Sequence, residues 1–121
     1  MKRILLVDDA AFIRRVMRSI LEQNGYIDIE EAQNGLEAIE KYQKRRPDLV
    51  ILDIVMPEMD GIECLKELKK IDPDANAIMC STVEDPKTVA EVYNLGVRDF
   101  VVKPIDEQRL IESVGIALQK I

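Results

Sequence analysis

The chain has 121 residues, of which 47% are hydrophobic and 33% are charged, and this composition is typical of one globular domain with one hydrophobic core. Its 23 acidic and 17 basic side chains give a net charge of −6, which disfavours a module that binds the phosphate backbone of nucleic acid. The absence of histidine removes the commonest general base and the usual nitrogen ligand of zinc, and so argues against triad hydrolases and zinc enzymes.

The first strand and the first helix are predicted close to the N-terminus. Ile4 to Val7 is a short apolar run of the length expected for a strand buried on both faces. From Ala11 to Asn24 apolar side chains recur at helical spacing, and Gly25 then ends the helix. The short connection between the two elements begins with two acids, Asp8 and Asp9.

A second strand, a second helix and a third strand follow in the next 30 residues or so. The strand at 27–32 is weaker than the first, because its apolar residues alternate with acids. Asn34 is suited to cap a helix that must end before Pro47. Leu49 to Leu52 is another continuous apolar run, and Asp53 follows it directly.

The second half of the chain continues the alternation of helix and strand. Its segments, in chain order, are a helix between Gly61 and Asp72, a strand at 77–80, a helix that ends at Gly96, a strand at 100–102 and a helix through Leu110 and Leu118. Five alternations with short connections predict an α/β fold, in which five helices cover both faces of a five-stranded parallel sheet.

Polar residues follow four of the five predicted strands. They are Asp8 and Asp9 after the first strand, Asp53 after the third, Ser81 and Thr82 after the fourth, and Lys103 after the fifth. Because ligands of open parallel sheets bind outside the carboxyl ends of the strands, these side chains are predicted to converge at one edge.

Each of these residues also has an ordinary interpretation. Asp8 or Asp9 would serve as a helix cap, Ser81 as a loop hydroxyl, and Lys103 as a solvated charge. Together they fit that interpretation poorly, because like charges about 5 Å apart repel by roughly 3 kcal/mol at an effective dielectric constant near 20. A cluster that opposes its own fold indicates a ligand, and carboxylate oxygens without nitrogen or sulfur suit Mg²⁺.

In this order and spacing the motifs resemble the receiver domain of two-component response regulators. The motifs are Asp8-Asp9, Asp53, Met56-Pro57, Asp60-Gly61, Ser81 and Lys103-Pro104. The resemblance runs from about Arg3 to the C-terminus and implies a single receiver domain over 1–121. It also implies a doubly wound, flavodoxin-like sheet with strand order 2-1-3-4-5. The opening Asp8-Asp9-Ala10-Ala11-Phe12 and the absence of an appended domain are most similar to stand-alone chemotaxis regulators of the CheY type.

The resemblance assigns a role to each polar residue at the edge. Asp53 would accept a phosphoryl group from a histidine kinase as an aspartyl phosphate. Asp9, Asp53 and the main-chain carbonyl of Val55 would bind Mg²⁺ directly, and Asp8 mainly through a metal-bound water. Lys103 would pair with Asp53 at rest and with a phosphoryl oxygen afterwards. Such a protein catalyses its own phosphotransfer and dephosphorylation but is not a metabolic enzyme.

Two further residues are implied as parts of the switch. Ser81 would donate a hydrogen bond to the phosphoryl group and draw its loop inward, and Phe100 would rotate into the space that the loop leaves. A core aromatic without any switching role fits the sequence at Phe100 equally well. Thr82 stands where alanine is often found, and its extra bulk would restrict either the ring or access to the site. The resemblance also implies that the Lys103-Pro104 bond is cis.

The resemblance places the output surface on the fourth helix, the fifth strand and the fifth helix. Residues expected on or near its exposed edge are Val89, Tyr93, Phe100 and Lys103. The expected partners are a CheA-like histidine kinase and a downstream protein, such as a flagellar or archaellar motor adaptor. The basic residues of the first helix, Arg14, Arg15 and Arg18, are interpreted as a solvated face, with docking of the kinase as the alternative.

Two apolar residues bear on how long the signal lasts. Val55 and Val83 stand two residues after Asp53 and Ser81, at positions that flank the path of the attacking water in the family. Since neither side chain can orient a water molecule, slow autodephosphorylation is predicted. The alternative is that both residues only pack against the loops.

The remaining expectations concern environment and rival functions. Cys64 and Cys80 are predicted to be reduced thiols, and no segment reaches transmembrane length, so the cytoplasm is expected. We expect a monomer, and neither nucleic acid nor a membrane as partner. Three alternatives are a phosphorelay intermediate or excised receiver, a flavin-binding electron carrier, and a magnesium-dependent phosphatase. The acids of the first loop oppose the flavin carrier, and Val55, where such phosphatases have a second acid, opposes the last.

Overall fold

The computed structural model describes residues 1–119, so the last two positions of the predicted domain lie outside the described residues. Strands and helices alternate along the whole of it. The strands are β1 (Arg3–Val7), β2 (Asp28–Ala32), β3 (Leu49–Leu52), β4 (Ala77–Ser81) and β5 (Asp99–Val102). The helices are α1 (Ala11–Gln23), α2 (Gly35–Lys44), α3 (Gly61–Ile71), α4 (Pro86–Asn94) and α5 (Glu107–Leu118). No helix in this described part of the chain has the length and apolar character needed to cross a membrane.

The five strands form one parallel sheet in the order β2-β1-β3-β4-β5. This confirms the predicted doubly wound, flavodoxin-like fold. Val7 pairs with Leu52, the last residues of β1 and β3, and Ser81 pairs with Val102 at the ends of β4 and β5. The residues that follow these strands therefore leave the sheet along the same edge.

Hydrophobic side chains form one cluster on each face of the sheet. Alternate residues of the central strands point to opposite faces, so that Leu5 and Leu52 belong to one cluster and Leu6 and Ile51 to the other. The helices α2, α3 and α4 cover the first face, and α1 and α5 cover the second. Among the described helices, α4 is the most loosely embedded, with Val92 as its only buried residue.

Four of the five helices begin with a side-chain cap. Asn34, Asp85 and Asp106 each accept a hydrogen bond from the amide three residues later, and Asp60 forms a capping box with Glu63. Helix α1 differs, because its N-cap is Ala10 and no side chain caps it. The interpretation of Asp8 or Asp9 as its cap is therefore wrong.

The predicted boundaries differ from the structure by one or two residues. Strand β2 begins at Asp28 rather than 27, because Ile27 is exposed. Strand β4 extends to Ser81, which is a buried strand residue and not a loop residue. The two cysteines are buried and free, as predicted.

Candidate functional site

Three carboxylates meet at the carboxyl edge of the sheet, as the strand order requires. Asp8 and Asp53 are buried, whereas Asp9 is exposed, and one oxygen from each lies within 4.8 Å of the others. Backbone hydrogen bonds fix both buried residues, from the Asp8 amide to the Ala32 carbonyl (3.1 Å) and from the Asp53 amide to the Val7 carbonyl (2.9 Å). The structure thus brings together the three predicted acids.

The donor set of this cluster fits Mg²⁺. All three side chains offer hard carboxylate oxygens, and the exposure of Asp9 leaves one side of the cluster open to water, which Mg²⁺ keeps among its ligands. Val55 follows on the adjacent loop, where its amide donates to Asp53 Oδ1 at 3.4 Å and its side chain is 58% exposed. The assignment of its carbonyl as a ligand stays a prediction.

Lys103 reaches both buried carboxylates. Its Nζ lies 2.7 Å from Asp8 Oδ2 and 3.4 Å from Asp53 Oδ2. The predicted pair with Asp53 is present, but the shorter contact, a hydrogen bond, is to Asp8, the more deeply buried of the two acids. Burial alone would lower the pKa of Lys103, but the hydrogen bond to Asp8 and the charge of Asp53 outweigh it and raise the pKa.

Burial is also the largest influence on the pKa of Asp53. It raises the pKa of this carboxyl above its ordinary value, the charge of Lys103 opposes that rise, and the charge of Asp8 adds to it. The nearby Ser81 hydroxyl acts in the opposite direction and favours a lower pKa of Asp53. Ser81 is fully buried, so this interaction is shielded from water.

The loop after β5 carries Lys103 into the site. The Lys103 amide donates to the Ser81 carbonyl at 2.9 Å, which ties the ends of β4 and β5 together. The Lys103-Pro104 bond is cis, as predicted. Thr82, the next residue after Ser81, is exposed.

The predicted output surface needs one correction. Phe100 is 8% exposed and packs into the core under α4, because its position on β5 points to the inner face of the sheet. The expectation that it lies on or near the exposed edge is wrong for this structure. Tyr93 is exposed at 45%, Val89 is half-buried against the core, and Lys103 is turned into the acidic cluster.

The basic residues of α1 are also arranged differently from the prediction. Arg14 and Arg18 both bind Glu31 on β2, at 2.9 and 2.6 Å, so they are not part of a solvated face. Only Arg15 of the three is exposed. Helical phase predicted that these residues point away from the core but gave no sign that β2 supplies an acid there. The acids that weakened the prediction of β2 were the signal in the sequence that could have indicated partners for these arginines.

Gly61 is a further residue of the site, although the sequence analysis gave it only as a helix boundary and as part of the Asp60-Gly61 motif. Its amide donates to the Ile54 carbonyl at 2.8 Å, and its α-carbon lies against the main chain of Asp53. The Asp60-Gly61 pair therefore does more than start α3. It packs the helix terminus directly against Asp53, the residue that follows β3.

Comparison with known proteins shows that the similarity covers nearly the whole chain and is not limited to the residues of the site. A family model described as the response regulator receiver domain matches residues 4–115. The chemotaxis protein CheY of Bacillus subtilis is 48% identical over 116 residues, covering 96% of this chain and 97% of that protein. CheY of Thermotoga maritima is 47% identical over 114 residues, covering 94% and 95% of the two chains. The crystal structure of a CheX-CheY-BeF3-Mg²⁺ complex from Borrelia burgdorferi has a TM-score of 0.94 at 34% identity, covering 98% of this chain and 90% of that one.

Proposed function

Because the chain belongs to the family of response regulator receiver domains and is homologous to chemotaxis regulators, it is a phosphorylation-activated signalling switch, and we propose that Asp53 is its phosphoacceptor. Residues 1–121 form a single receiver domain in this proposal. A histidine kinase of the CheA kind supplies the phosphoryl group. The phosphorylated surface then controls a downstream protein of the motility apparatus.

The observation that carries the proposal is the setting of the Asp53 carboxylate. It is buried beside Asp8, Lys103 and Ser81, at the only group of three acids in the described chain whose oxygens are close enough to share a cation. No other described carboxylate combines a neighbouring ammonium, a buried hydroxyl and a metal-binding geometry. A nucleophile that must accept a charged group needs these three neighbours.

The proposed reaction transfers the phosphoryl group from a kinase histidine to Asp53. A carboxylate oxygen of Asp53 forms a bond to phosphorus while the bond from phosphorus to the histidine nitrogen breaks, and the leaving imidazole takes up a proton. Asp9, Asp53 and the Val55 carbonyl would hold Mg²⁺, which would supply positive charge to neutralise the transferred group. Asp8 would contribute mainly through a metal-bound water.

The remaining side chains act on the product. Lys103 would move from its contact with Asp8 towards a phosphoryl oxygen, which is within the reach of a long flexible ammonium. The Ser81 hydroxyl would donate to another phosphoryl oxygen and pull the loop before α4 inward. Phe100 would then repack within the core under α4. The same groups support autodephosphorylation, in which a water oxygen forms a bond to phosphorus, the bond from phosphorus to the Asp53 oxygen breaks, and the proton of the water leaves with inorganic phosphate or to solvent.

The surface of α4, β5 and α5 is the proposed docking region for the downstream motor target. The exposed ring of Tyr93 lies on it, next to the ion pair of Asp99 with Arg109 at 2.7 Å. The relatives named above support a chemotaxis role. We further propose that the protein is a cytoplasmic monomer.

The decisive experiment is Mg²⁺-dependent phosphorylation by a small acyl phosphate. Wild type should be labelled only when Mg²⁺ is present, and Asp53→Asn should not be labelled. Asp48→Asn is the matched control, because it makes the same change at the amino end of β3, where the side chain is exposed. Labelling of Asp53→Asn at the wild-type level would exclude Asp53 as the phosphoacceptor.

A further inference from the structure

Arg14 connects helix α1 to the main chain of the acidic cluster. Its Nη1 donates to the main-chain carbonyl oxygen of Asp8, and its Nε donates to Glu31 Oε1 at 2.9 Å. The Arg14 side chain is only 14% exposed, although it lies on the polar side of an amphipathic helix. A guanidinium that donates two such hydrogen bonds and is largely removed from water has a role beyond keeping the protein soluble.

Glu31 is itself held firmly, so it can fix the position of Arg14. Its second oxygen accepts from Arg18 Nε at 2.6 Å, and its main-chain carbonyl accepts from Lys41. Arg18 also donates to the Ile29 carbonyl at 3.0 Å. The guanidinium of Arg14 is thereby anchored to β2, the strand paired directly with β1.

The carbonyl that Arg14 holds belongs to the peptide group between Asp8 and Asp9. The orientation of this peptide determines where the Asp9 carboxylate lies relative to Asp53. The other hydrogen bonds of Asp8 hold its amide, which donates to the Ala32 carbonyl, and its side chain, which accepts from the Ala10 amide and from Lys103 Nζ. None of them holds the Asp8 carbonyl. The hydrogen bond from Arg14 is therefore the contact that fixes the orientation of this carbonyl.

We propose that Arg14 is a positioning residue for the Mg²⁺ site, acting through the Asp8 carbonyl to hold the two N-terminal carboxylates in the arrangement that the metal requires. The inference rests on the proposed function, which makes this cluster the Mg²⁺ site. Groups that orient metal ligands without touching the metal commonly change its affinity by about 10- to 100-fold when they are removed.

The direction in which Mg²⁺ affinity changes when Arg14 is replaced distinguishes a positioning role from a purely electrostatic one. Replacing Arg14 by a neutral residue removes a positive charge near the site, and Coulomb's law alone would then make Mg²⁺ bind more tightly. Loss of positioning makes it bind more weakly. Arg15→Gln is the matched control, since it removes the same charge from the next position of α1, where the side chain is exposed.

The test measures the dissociation constant of Mg²⁺ by calorimetry for wild type, Arg14→Gln, Arg14→Lys and Arg15→Gln, with thermal unfolding in EDTA to verify folding. We expect Arg14→Gln to weaken Mg²⁺ binding about tenfold. Arg14→Lys should weaken it less, because one ammonium can still reach the Asp8 carbonyl. Arg15→Gln should bind as wild type does or slightly more tightly. Should Arg14→Gln fail to fold, weaker binding by Arg14→Lys than by wild type carries the inference.

Phosphorylation by a small acyl phosphate gives a second readout. The Mg²⁺ concentration for half-maximal labelling of Arg14→Gln should rise by the same factor as the dissociation constant. The labelling rate at saturating Mg²⁺ should stay within about twofold of wild type, because positioning is lost but no reacting group is. Equal or tighter Mg²⁺ binding by Arg14→Gln, or equal weakening by Arg15→Gln, overturns the inference. Wild type that binds no Mg²⁺ overturns the proposed function itself.

Discussion

Gly61 lies so close to Asp53 that a β-carbon at position 61 would stand 2.1 Å from the Asp53 carbonyl oxygen. The atoms that would be struck are all main-chain atoms of Asp53 and Ile54, which cannot turn aside as a flexible side chain can. The start of α3 and the proposed phosphoacceptor are therefore fitted to each other at the level of the backbone.

Gly61→Ala is expected to lower both stability and function. The clash forces α3 away from β3, and overpacking of this kind costs about 1–3 kcal/mol of unfolding free energy. The shift also moves the Asp53 carboxylate, so the Mg²⁺-dependent labelling rate should fall. Urea unfolding and acyl phosphate labelling measure the two effects. Gly115→Ala on α5 is the control, because nothing lies within 4 Å of its added carbon and alanine favours the helix. Equal behaviour of the two variants would show that the contact is harmless.

Lys103→Met is expected to enlarge the loss of stability that accompanies ionisation of Asp53 as pH rises from mild acid. Asp53 already has a raised pKa, and without the ammonium beside it the pKa rises further. A carboxyl group whose pKa is higher in the folded than in the unfolded protein stabilises the fold while it is protonated, at pH values below the unfolded pKa. This contribution is lost as the pH rises through the folded-state pKa. As the pH rises from about 4 to 7, the free energy of unfolding of the variant should therefore fall more than that of wild type. Urea unfolding in the presence of EDTA measures this difference. Lys44→Met, on an exposed lysine, should follow wild type. Parallel curves for Lys103→Met and wild type would contradict the prediction.

The ion pair of Asp99 and Arg109 predicts an acid-sensitive contribution on the proposed output surface. Two hydrogen bonds from Arg109, of 2.7 and 3.0 Å, are the main reason that the pKa of Asp99 is lowered to about 2. A lowered pKa stabilises the fold above the unfolded value of about 4, and the contribution is lost as pH falls towards 2. Solvent screening around the partly exposed Arg109 keeps it to about 1 kcal/mol.

Asp99→Asn should accordingly flatten the loss of stability between pH 4 and pH 2. Arg109→Gln should flatten it as well, because it removes the cause of the shift. The free energy of unfolding at three or four pH values in that window, with the double variant included, measures the effect. A wild-type slope in both single variants would show that the pair does not contribute.

The valines that flank Asp53 and Ser81 predict a long-lived phosphoryl group. Val55→Asn and Val83→Thr, made together, offer groups that can orient the attacking water and should speed decay by about tenfold or more. Ile27→Asn is the control, an equally exposed apolar residue next to the opposite edge of the sheet. The measurement is the loss of label after removal of the phosphodonor. Unchanged decay in the double variant would leave both valines as packing residues only.

The fold was predictable from the sequence because its signals are local and repeated. Continuous apolar runs such as Leu49–Leu52 mark strands buried on both faces, and Asn34 caps the helix that its position implied. The convergence of Asp8, Asp53 and Lys103 followed from one topological rule, since the ends of parallel strands share an edge.

What was not predictable depends on contacts between distant segments. Helical phase placed Arg14 outside the core, but its partner, Glu31, is 17 residues away on a strand whose acids looked like a weakness. The burial of Phe100 depends on which face of β5 meets α4, and a run of apolar residues does not encode that choice. The fit of Gly61 against Asp53 requires knowing where α3 starts in space.

Helix α4, with Val92 as its only buried residue, has a consequence for the thermodynamics of signalling. The free energy needed to open a segment locally depends on how much of the segment is buried. The opening that lets amide protons of α4 exchange with solvent should therefore need less free energy than the opening of β3 or β4. Only four residues, 82–85, separate Ser81 from this helix. A change in free energy at Ser81 is therefore expected to act on α4 before it affects the amide protection of the central strands.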